Sequence, residues 1–278
     1  MQTWKHIAFC FDIEYLKGTL VASSSALHTM KDVAFHYVFV GDKDYADYAK
    51  RTLVRTLHWL ADETGANIHI DFTTQELPAN VSHDSRLSKA ASARLLLPKL
   101  MDGKVLYMDS DAFLAKDSSK LFSMPTDNGI CAMRDLFCIR YSKSIEHEDF
   151  FHGDAKWSYF NDGVMLLDLD ELSNNGLFDE ALQRLSSRTY RHGEQDALND
   201  TMHCNGLQPS YMPAKYNYYA SQNFDNTMTF GEELYSIQPE DAHIAHFIIG
   251  KNKPWNATAD ISNSLHALWH SYADGLDA

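Results

Sequence analysis

Two periods of apolar residues alternate along the first hundred positions of the chain. Residues 6–11 (HIAFCF) form a short apolar run that predicts a strand, and residues 17–30 predict a helix. Residues 33–40 predict a second strand closing on Gly41-Asp42. A second helix follows, with Tyr45, Tyr48, Ala49, Leu53, Leu57 and Leu60 at helical spacing and Gly65 as its stop signal. Residues 67–72 predict a third strand, residues 73–85 a polar loop and residues 86–100 a helix leading into an apolar run at 105–108. This βαβα order implies right-handed crossovers, so the expected class is α/β: a mostly parallel central sheet with helices on both faces.

Beyond residue 115 the texture changes. Residues 129–134 and 159–169 predict strands, separated by a long aromatic and charged loop at 136–157 that contains His147, Glu148, Phe150, Phe151 and His152. Loops of this length inside a domain usually serve a function or are disordered. Helices are expected around 178–187 and 194–204, whereas 216–230 is rich in Tyr and Asn and has no clear period. Residues 261–272 place Ile261, Leu265, Leu268, Trp269 and Tyr272 on one helical face. The opposite face carries Ser262, Asn263, His266 and Ser271 rather than Lys or Arg, so this helix is expected to dock on the core and not on a membrane surface. No internal repeat or linker divides the chain, and one domain is expected.

The most informative segment is KVLYMDSDAFL, residues 104–114. The run Val105 to Met108 reads as an interior strand buried on both faces, and Asp109 and Asp111 follow at its carboxyl end. Side chains alternate along a strand, so the two carboxylates point the same way if extension persists through Ser110. Converging carboxylates repel unless a cation lies between them or water reaches both. A metal and diphosphate site fits this position, because ligands of open α/β sheets bind beyond the carboxyl ends of the strands. A turn with two solvated aspartates is the alternative.

Composition narrows the classes. The 278 residues, 45% apolar, suffice for a full core, and 24 basic against 38 acidic residues give a net charge of −14. That charge disfavours nonspecific binding to nucleic acid or anionic membrane, both of which need a positive field. Cys10, Cys131, Cys138 and Cys204 form no CxxC pair or zinc-finger spacing and read as reduced thiols. No stretch approaches the roughly 18 apolar residues of a membrane span, and residues 7–11 are too short a run for a signal-peptide core. A cytoplasmic setting is therefore expected, so the glycosylation-type patterns at Asn80 and Asn256 carry no weight. P-loop, GxGxxG, HExxH and GxSxG motifs are absent, leaving a metal and side chains to hold any phosphates.

Four ordered segments carry a resemblance: FDIEY at 11–15, SARLLLPKL leading into VLYMDSDAF at 92–113, FNDGVMLLDL with EQDALN at 160–169 and 194–199, and HFIIGKNKPW at 246–255. Together they resemble the family 8 glycosyltransferases, retaining sugar-nucleotide enzymes that include bacterial lipopolysaccharide galactosyl- and glucosyltransferases and the glycogenins. The resemblance covers roughly residues 6–255. It implies a single GT-A type, Rossmann-like domain with a nucleotide-binding half at about 1–115, an acceptor and sugar half at about 116–260 and a C-terminal helix at about 260–274.

The roles it implies are these. Asp12 and Tyr15 contact uracil and ribose, Arg94 helps bind the nucleotide sugar, and Ser110 and Gly250 line the diphosphate site. Asp109, Asp111 and His246 hold the metal. Such a set, with two diphosphate oxygens, suits an octahedral ion, and the imidazole tilts preference from Mg2+ toward Mn2+. The family usually reads His-Phe-x-Gly-x-x-Lys-Pro-Trp, and this chain has one extra residue between His246 and Gly250. Lys253 is expected to bind the departing diphosphate, with Lys251 as the alternative if the register slips. Asn161, Gln195 and Asp196 lie near the sugar and Asp135 near its hydroxyls.

The activity implied is transfer of a hexose from UDP-glucose or UDP-galactose to a glycan or glycolipid hydroxyl, such as that of lipopolysaccharide, with an α-linkage formed. Departure of the nucleoside diphosphate leaves oxocarbenium character on the sugar. Same-face attack with Gln195 supporting the cationic centre is preferred, and a covalent route through Asp196 is the runner-up. The chain ends in Asp274, Gly275 and Asp277 without a basic tail, so contact with the inner face of the membrane is expected to be transient at most. A nucleotidyltransferase making sugar nucleotides and a catalytically inactive nucleotide- or glycan-binding module are the competing classes. The former usually needs a glycine-rich N-terminal loop, which HIAFCFDIEYLKG lacks. The hexose, the acceptor linkage and the oligomeric state are not legible.

Overall fold

The computed structural model describes residues 4–78, 81, 88–141, 158–220, 224–230, 233–250, 253–256 and 264–276. Several expectations lie outside these residues: positions 79, 80 and 82–85 of the polar loop after the third strand, Arg86, the segment 142–157 with its aromatics and histidines, Lys251, residues 261–263 and Asp277.

In chain order the elements begin with β1 (Lys5–Phe11), α1 (Leu16–Thr29), β2 (Asp32–Val40), α2 (Lys43–Thr64) and β3 (Asn67–Gln75). Next come a 3-10 helix at Lys89–Leu96, α3 (Leu97–Leu100), β4 (Lys104–Met108), β5 (Ala112–Leu114), β6 (Ile130–Arg134) and α4 (Leu136–Tyr141). Then follow β7 (Phe160–Asp168), α5 (Leu169–Asn175), α6 (Leu177–Ser187), α7 (Gly193–Cys204), β8 (Ser210–Tyr211) and β9 (Tyr218–Tyr219). The remaining elements are β10 (Thr227–Phe230), β11 (Glu233–Ser236), β12 (Ile244–His246) and α8 (Ser264–Asp274).

Seven strands form the central sheet in the order β3-β2-β1-β4-β7-β6-β8. The pairs β3–β2, β2–β1, β1–β4 and β6–β8 are parallel, while β7 runs antiparallel to β4 and β6. The predicted mostly parallel α/β class is what the chain adopts. Alternation along β1 shows how the sheet is covered: Ile7, Phe9 and Phe11 enter the apolar layer with Leu53 and Leu57 of α2, and Ala8 and Cys10 enter the layer with Ala181 of α6 and Leu198 of α7. Strands buried on both faces read as continuous apolar runs, as residues 105–108 of β4 and 164–167 of β7 do.

Four local outcomes differ from the sequence reading. β3 continues to Gln75, paired with Val40 of β2, where a loop is expected from residue 73. Of the segment expected as a helix at 86–100, residues 89–96 are 3-10; Pro98 has no N–H to give Arg94 O, the Leu97 N–H bonds that carbonyl instead, and α3 starts there. The front of the long loop is helical as α4, with Asp135 accepting a hydrogen bond from the Cys138 N–H at 2.7 Å as its cap. The aperiodic segment around 216–230 supplies β9, which joins β5 and β12 in a small second sheet, and one strand of the β10–β11 hairpin. α8 docks by Leu265 and Trp269, both buried, as its apolar face implies. All four cysteines are free thiols.

Candidate active site

β4 ends at Met108, and the chain turns at once: the Ala112 N–H donates to Asp109 O at 3.0 Å. The two aspartates converge through this turn, not through the strand alternation expected from the sequence. Three contacts fix it. The Asp109 N–H donates to Gly163 O at 2.8 Å, Ser110 Oγ and Thr19 Oγ1 share a hydrogen bond at 2.8 Å, and the Phe247 N–H donates to Asp111 O at 3.0 Å. Gly18 of α1 makes the approach possible, since a Cβ there would lie 2.3 Å from Ser110 O.

β12 runs antiparallel to β5, pairing His246 with Ala112, and so delivers the imidazole to the same turn. One ligand atom from each of Asp109, Asp111 and His246 lies within 4.8 Å of the others. His246 Nε2 is 3.1 Å from Asp111 Oδ1 and 3.9 Å from Asp109 Oδ2. Asp109 Oδ1 is already committed, accepting from Tyr107 OH at 2.6 Å and from Arg94 at 2.8 Å, which leaves Oδ2 facing the imidazole. Asp111 Oδ1 is buried and has no hydrogen-bond partner. Burial pushes the His246 pKa down, favouring the neutral ring a metal requires. An orphaned carboxylate oxygen, a second carboxylate oxygen and a neutral imidazole nitrogen make a fitting donor set for a divalent cation.

Gly163 leaves room for such an ion. A Cβ at this position would lie 2.3 Å from His246 Cε1 and 2.7 Å from Asp109 Oδ2. We predict that Gly163→Ala lowers Mn2+ affinity by about 10-fold or more, the scale seen when the groups orienting metal ligands are disturbed. Isothermal titration with Mn2+ checks this, and unchanged affinity in a folded variant contradicts it.

The turn at residues 109–112 opens into a cavity of about 350 Å³. Lys253 sits at one side and pairs with Asp111 Oδ2. Burial lowers its pKa to about 8. The extra residue between His246 and Gly250 thus still lets Lys253 reach the carboxylate pair. Elsewhere on the lining, Gln195 Oε1 accepts from Asn161 Nδ2 at 2.9 Å, and Gln195 Nε2 donates to Asp135 Oδ2 at 3.0 Å and to Tyr159 OH at 3.0 Å. Asn161 Nδ2 also donates to Asp135 Oδ2 at 3.2 Å.

The structure brings Tyr15, Arg94, Asp109, Ser110, Asp111, Asp135, Asn161, Gln195, His246, Gly250 and Lys253 to this one cavity. Asp12 and Asp196 are not among its lining residues. Asp12 caps the 3-10 turn Ile13–Tyr15, accepting from the Glu14 and Tyr15 N–H groups, and takes a 2.6 Å hydrogen bond from Ser88 Oγ. Asp196 is 2% exposed, and its oxygens accept from Tyr159 OH at 2.5 Å and the His192 N–H at 2.8 Å.

Arg94 reaches the cavity yet is spent internally. Its guanidinium meets Asp109 at 2.8 Å, Asp162 at 2.9 Å and Glu194 at 3.3 Å, and also donates to the carbonyls of Ala91 and Asp162. Burial pushes the carboxyls of Asp162 and Glu194 up, and the arginine opposes that shift. Sequence reasoning missed Asp162, Glu194, Tyr107, Tyr159 and Asn217. The two acids flank Asn161 and Gln195 in the FNDG and EQDALN segments, which was a usable signal, whereas Asn217 sits in an aperiodic stretch and carried none.

The chain matches the model of glycosyl transferase family 8 over residues 6–259. General stress protein A of Bacillus subtilis (strain 168) is 23% identical over 279 residues, covering 96% of this chain and 91% of that protein. Lipopolysaccharide 1,2-glucosyltransferase of Escherichia coli (strain K12) is 22% identical over 260 residues, covering 91% and 73%. Among solved structures, the galactosyltransferase LgtC in complex with donor and acceptor sugar analogues superposes with a TM-score of 0.68 at 22% identity, covering 98% of this chain and 96% of that one. The bifunctional glycosyltransferase WbbM, without ligand, gives 0.71 at 18% identity, and this chain spans half (50%) of its length. The structural likenesses show a GT-A-like α/β fold.

Proposed function

Because this chain belongs to glycosyl transferase family 8, we propose that it is a metal-dependent retaining hexosyltransferase, moving a neutral hexose from UDP-glucose or UDP-galactose to a hydroxyl of a glycan acceptor with an α-linkage. The observation that carries this reading is the convergence of Asp109, Asp111, His246 and Lys253 in a cavity that Asp135, Asn161 and Gln195 also line.

Asp109 Oδ2, Asp111 Oδ1 and His246 Nε2 would hold the ion, with Mn2+ favoured over Mg2+ by the imidazole. A bound divalent cation offsets the charge that grows on the diphosphate leaving group. Lys253 adds a second positive charge at the same place, and a donor diphosphate displaces it from Asp111. Ser110 and Gly250 border the diphosphate, and Tyr15 offers its ring to the nucleoside. Asp12 acts by shaping the turn that carries Tyr15. Residues of about 1–115 would chiefly serve the nucleotide and those of about 116–260 the sugar and acceptor, with His246, Gly250 and Lys253 reaching back to the diphosphate.

The sugar end favours a neutral hexose over a uronate. It presents Asp135, Asp162 and Glu194, and the Arg94 guanidinium beside them is committed to carboxylates. A sugar carboxylate placed there meets the Asp135 carboxylate, while the Arg94 guanidinium is already paired. Same-face attack is the favoured route to retention. Gln195 is an amide held on both of its polar atoms, and Asp196 has both oxygens engaged away from the cavity, so neither is poised as a nucleophile. Gln195 Oε1 and Asp135 Oδ2 supply negative charge near the anomeric centre.

The similarity to a lipopolysaccharide glucosyltransferase supports a lipopolysaccharide or other surface glycan as acceptor. No helix among the described residues is long and apolar enough to cross a membrane.

Incubation with UDP-glucose, UDP-galactose and UDP-glucuronate, with Mn2+ or EDTA, tests the proposal through release of UDP and the anomeric proton of the product. We expect Mn2+-dependent release from a neutral hexose donor with an α-configured product, and none from the uronate. Release that ignores EDTA, preference for the uronate or a β-configured product contradicts it.

A further inference from the structure

We infer that Asn217 is a positioning residue that joins the metal-binding imidazole to the amide cluster at the sugar end of the cavity; this rests on the metal-dependent reading above. Asn217 is fully buried, between β8 and β9, and its two polar atoms face two different parts of the site. Oδ1 lies 2.9 Å from His246 Nδ1, and Nδ2 donates to Asn161 Oδ1 at 2.8 Å.

The orientation of every group in this relay follows from one fixed point. The Asp135 carboxylate only accepts, so the atom of Asn161 that faces it must be the NH2 group, which also meets Gln195 Oε1. Asn161 Oδ1 must then point the other way, where it accepts from the Gly163 N–H at 3.1 Å and from Asn217. The Asn217 amide is set in turn with its oxygen toward His246, and that oxygen requires a proton on Nδ1. Nε2 is left as a lone pair aimed at Asp109 and Asp111. The hydrogen bond on the outer nitrogen of a ligating histidine fixes its tautomer and orientation. Here that hydrogen bond extends through two amides to Asp135 and Gln195, so the metal end and the sugar end share one rigid network.

Two substitutions separate the halves of the relay. Asn217→Asp keeps an acceptor for the His246 Nδ1–H but loses the donor to Asn161 Oδ1, and two oxygens then face each other. Asn161 must turn, giving up either the Gly163 N–H or its contacts to Asp135 and Gln195. Asn217→Ala loses both halves. Mn2+ binding to the donor-free protein, followed by the electron paramagnetic resonance of free Mn2+, reads the first half; kcat at saturating Mn2+ reads the second.

Expected for Asn217→Ala is a fall in Mn2+ affinity of about 10- to 100-fold. Expected for Asn217→Asp is Mn2+ affinity within about 3-fold of wild type with kcat at least about 10-fold lower, the cost of one unsatisfied buried hydrogen bond. Equal Mn2+ affinity in wild type and Asn217→Ala overturns the relay and leaves the metal assignment standing. So does an Asn217→Asp protein that folds yet loses affinity along with turnover, and this variant decides the matter if Asn217→Ala does not fold. Wild-type protein that binds no Mn2+ overturns both this relay and the metal-dependent reading.

Discussion

Asp109→Asn combined with Asp111→Asn is expected to lower kcat by at least about a thousandfold while the protein stays folded. A bound cation and the charges that hold it contribute several kcal/mol to a developing diphosphate, and each ~1.4 kcal/mol is a factor of ten. The two amides keep the shape of the turn, whose backbone hydrogen bonds to Gly163 and Phe247 do not involve the carboxylates. Arg94 retains Asp162 and Glu194 as partners. The loss is therefore expected in chemistry rather than in folding. Steady-state transfer alongside circular dichroism checks it, and a folded double variant with activity within tenfold of wild type contradicts the metal assignment.

Arg94→Met is expected to destabilise the fold by about 3–5 kcal/mol, the usual cost of removing one partner from a buried ion cluster. Methionine retains much of the apolar stem, so the loss is chiefly electrostatic. Arg94 is 1% exposed, and its guanidinium lies within 3.3 Å of three carboxylates. Without it, Asp162 and Glu194 are buried acids facing one another's charge. Urea unfolding of the variant measures the loss. A double variant, Arg94→Met with Glu194→Gln, should recover part of it, because the substitution removes one of the stranded charges. Equal stability of the single and double variants would mean that Arg94 supports the fold by packing alone, for instance through its contact with the Tyr107 ring at 4.6 Å.

The difference between Arg94 as expected and Arg94 as found shows where sequence reading reaches its limit. Its position on the segment before β4 was legible from the SARLLLPKL pattern, as were β1, β2, β4, β7 and the helices α1 and α2, whose periods are long and uniform. Its partners were not, because Asp162 and Glu194 are 68 and 100 residues away in sequence and meet it only when β7 and α7 pack against the 3-10 helix. The same holds at the turn after β4. Asp109 and Asp111 were recognisable by spacing, but what aims them together is a turn pinned by Gly163, Thr19 and Phe247, each from a separate element. Asp12 and Asp196 illustrate the converse: a carboxylate within a matching motif can be spent as a cap or a buried acceptor, and only the hydrogen bonds around it reveal that.

The most direct measurement is thermal unfolding of wild-type protein and the Asp109→Asn/Asp111→Asn double variant with UDP-glucose or UDP-galactose, each with and without Mn2+. Ligand at 100 times its Kd stabilises a fold by about 2.7 kcal/mol, enough to raise the midpoint visibly. The expected result is a rise for the wild type only when nucleotide sugar and Mn2+ are both present, and none for the double variant. An equal rise without metal or in the double variant, or no rise for folded wild type with either donor, contradicts a metal-dependent UDP-hexose site at Asp109, Asp111 and His246.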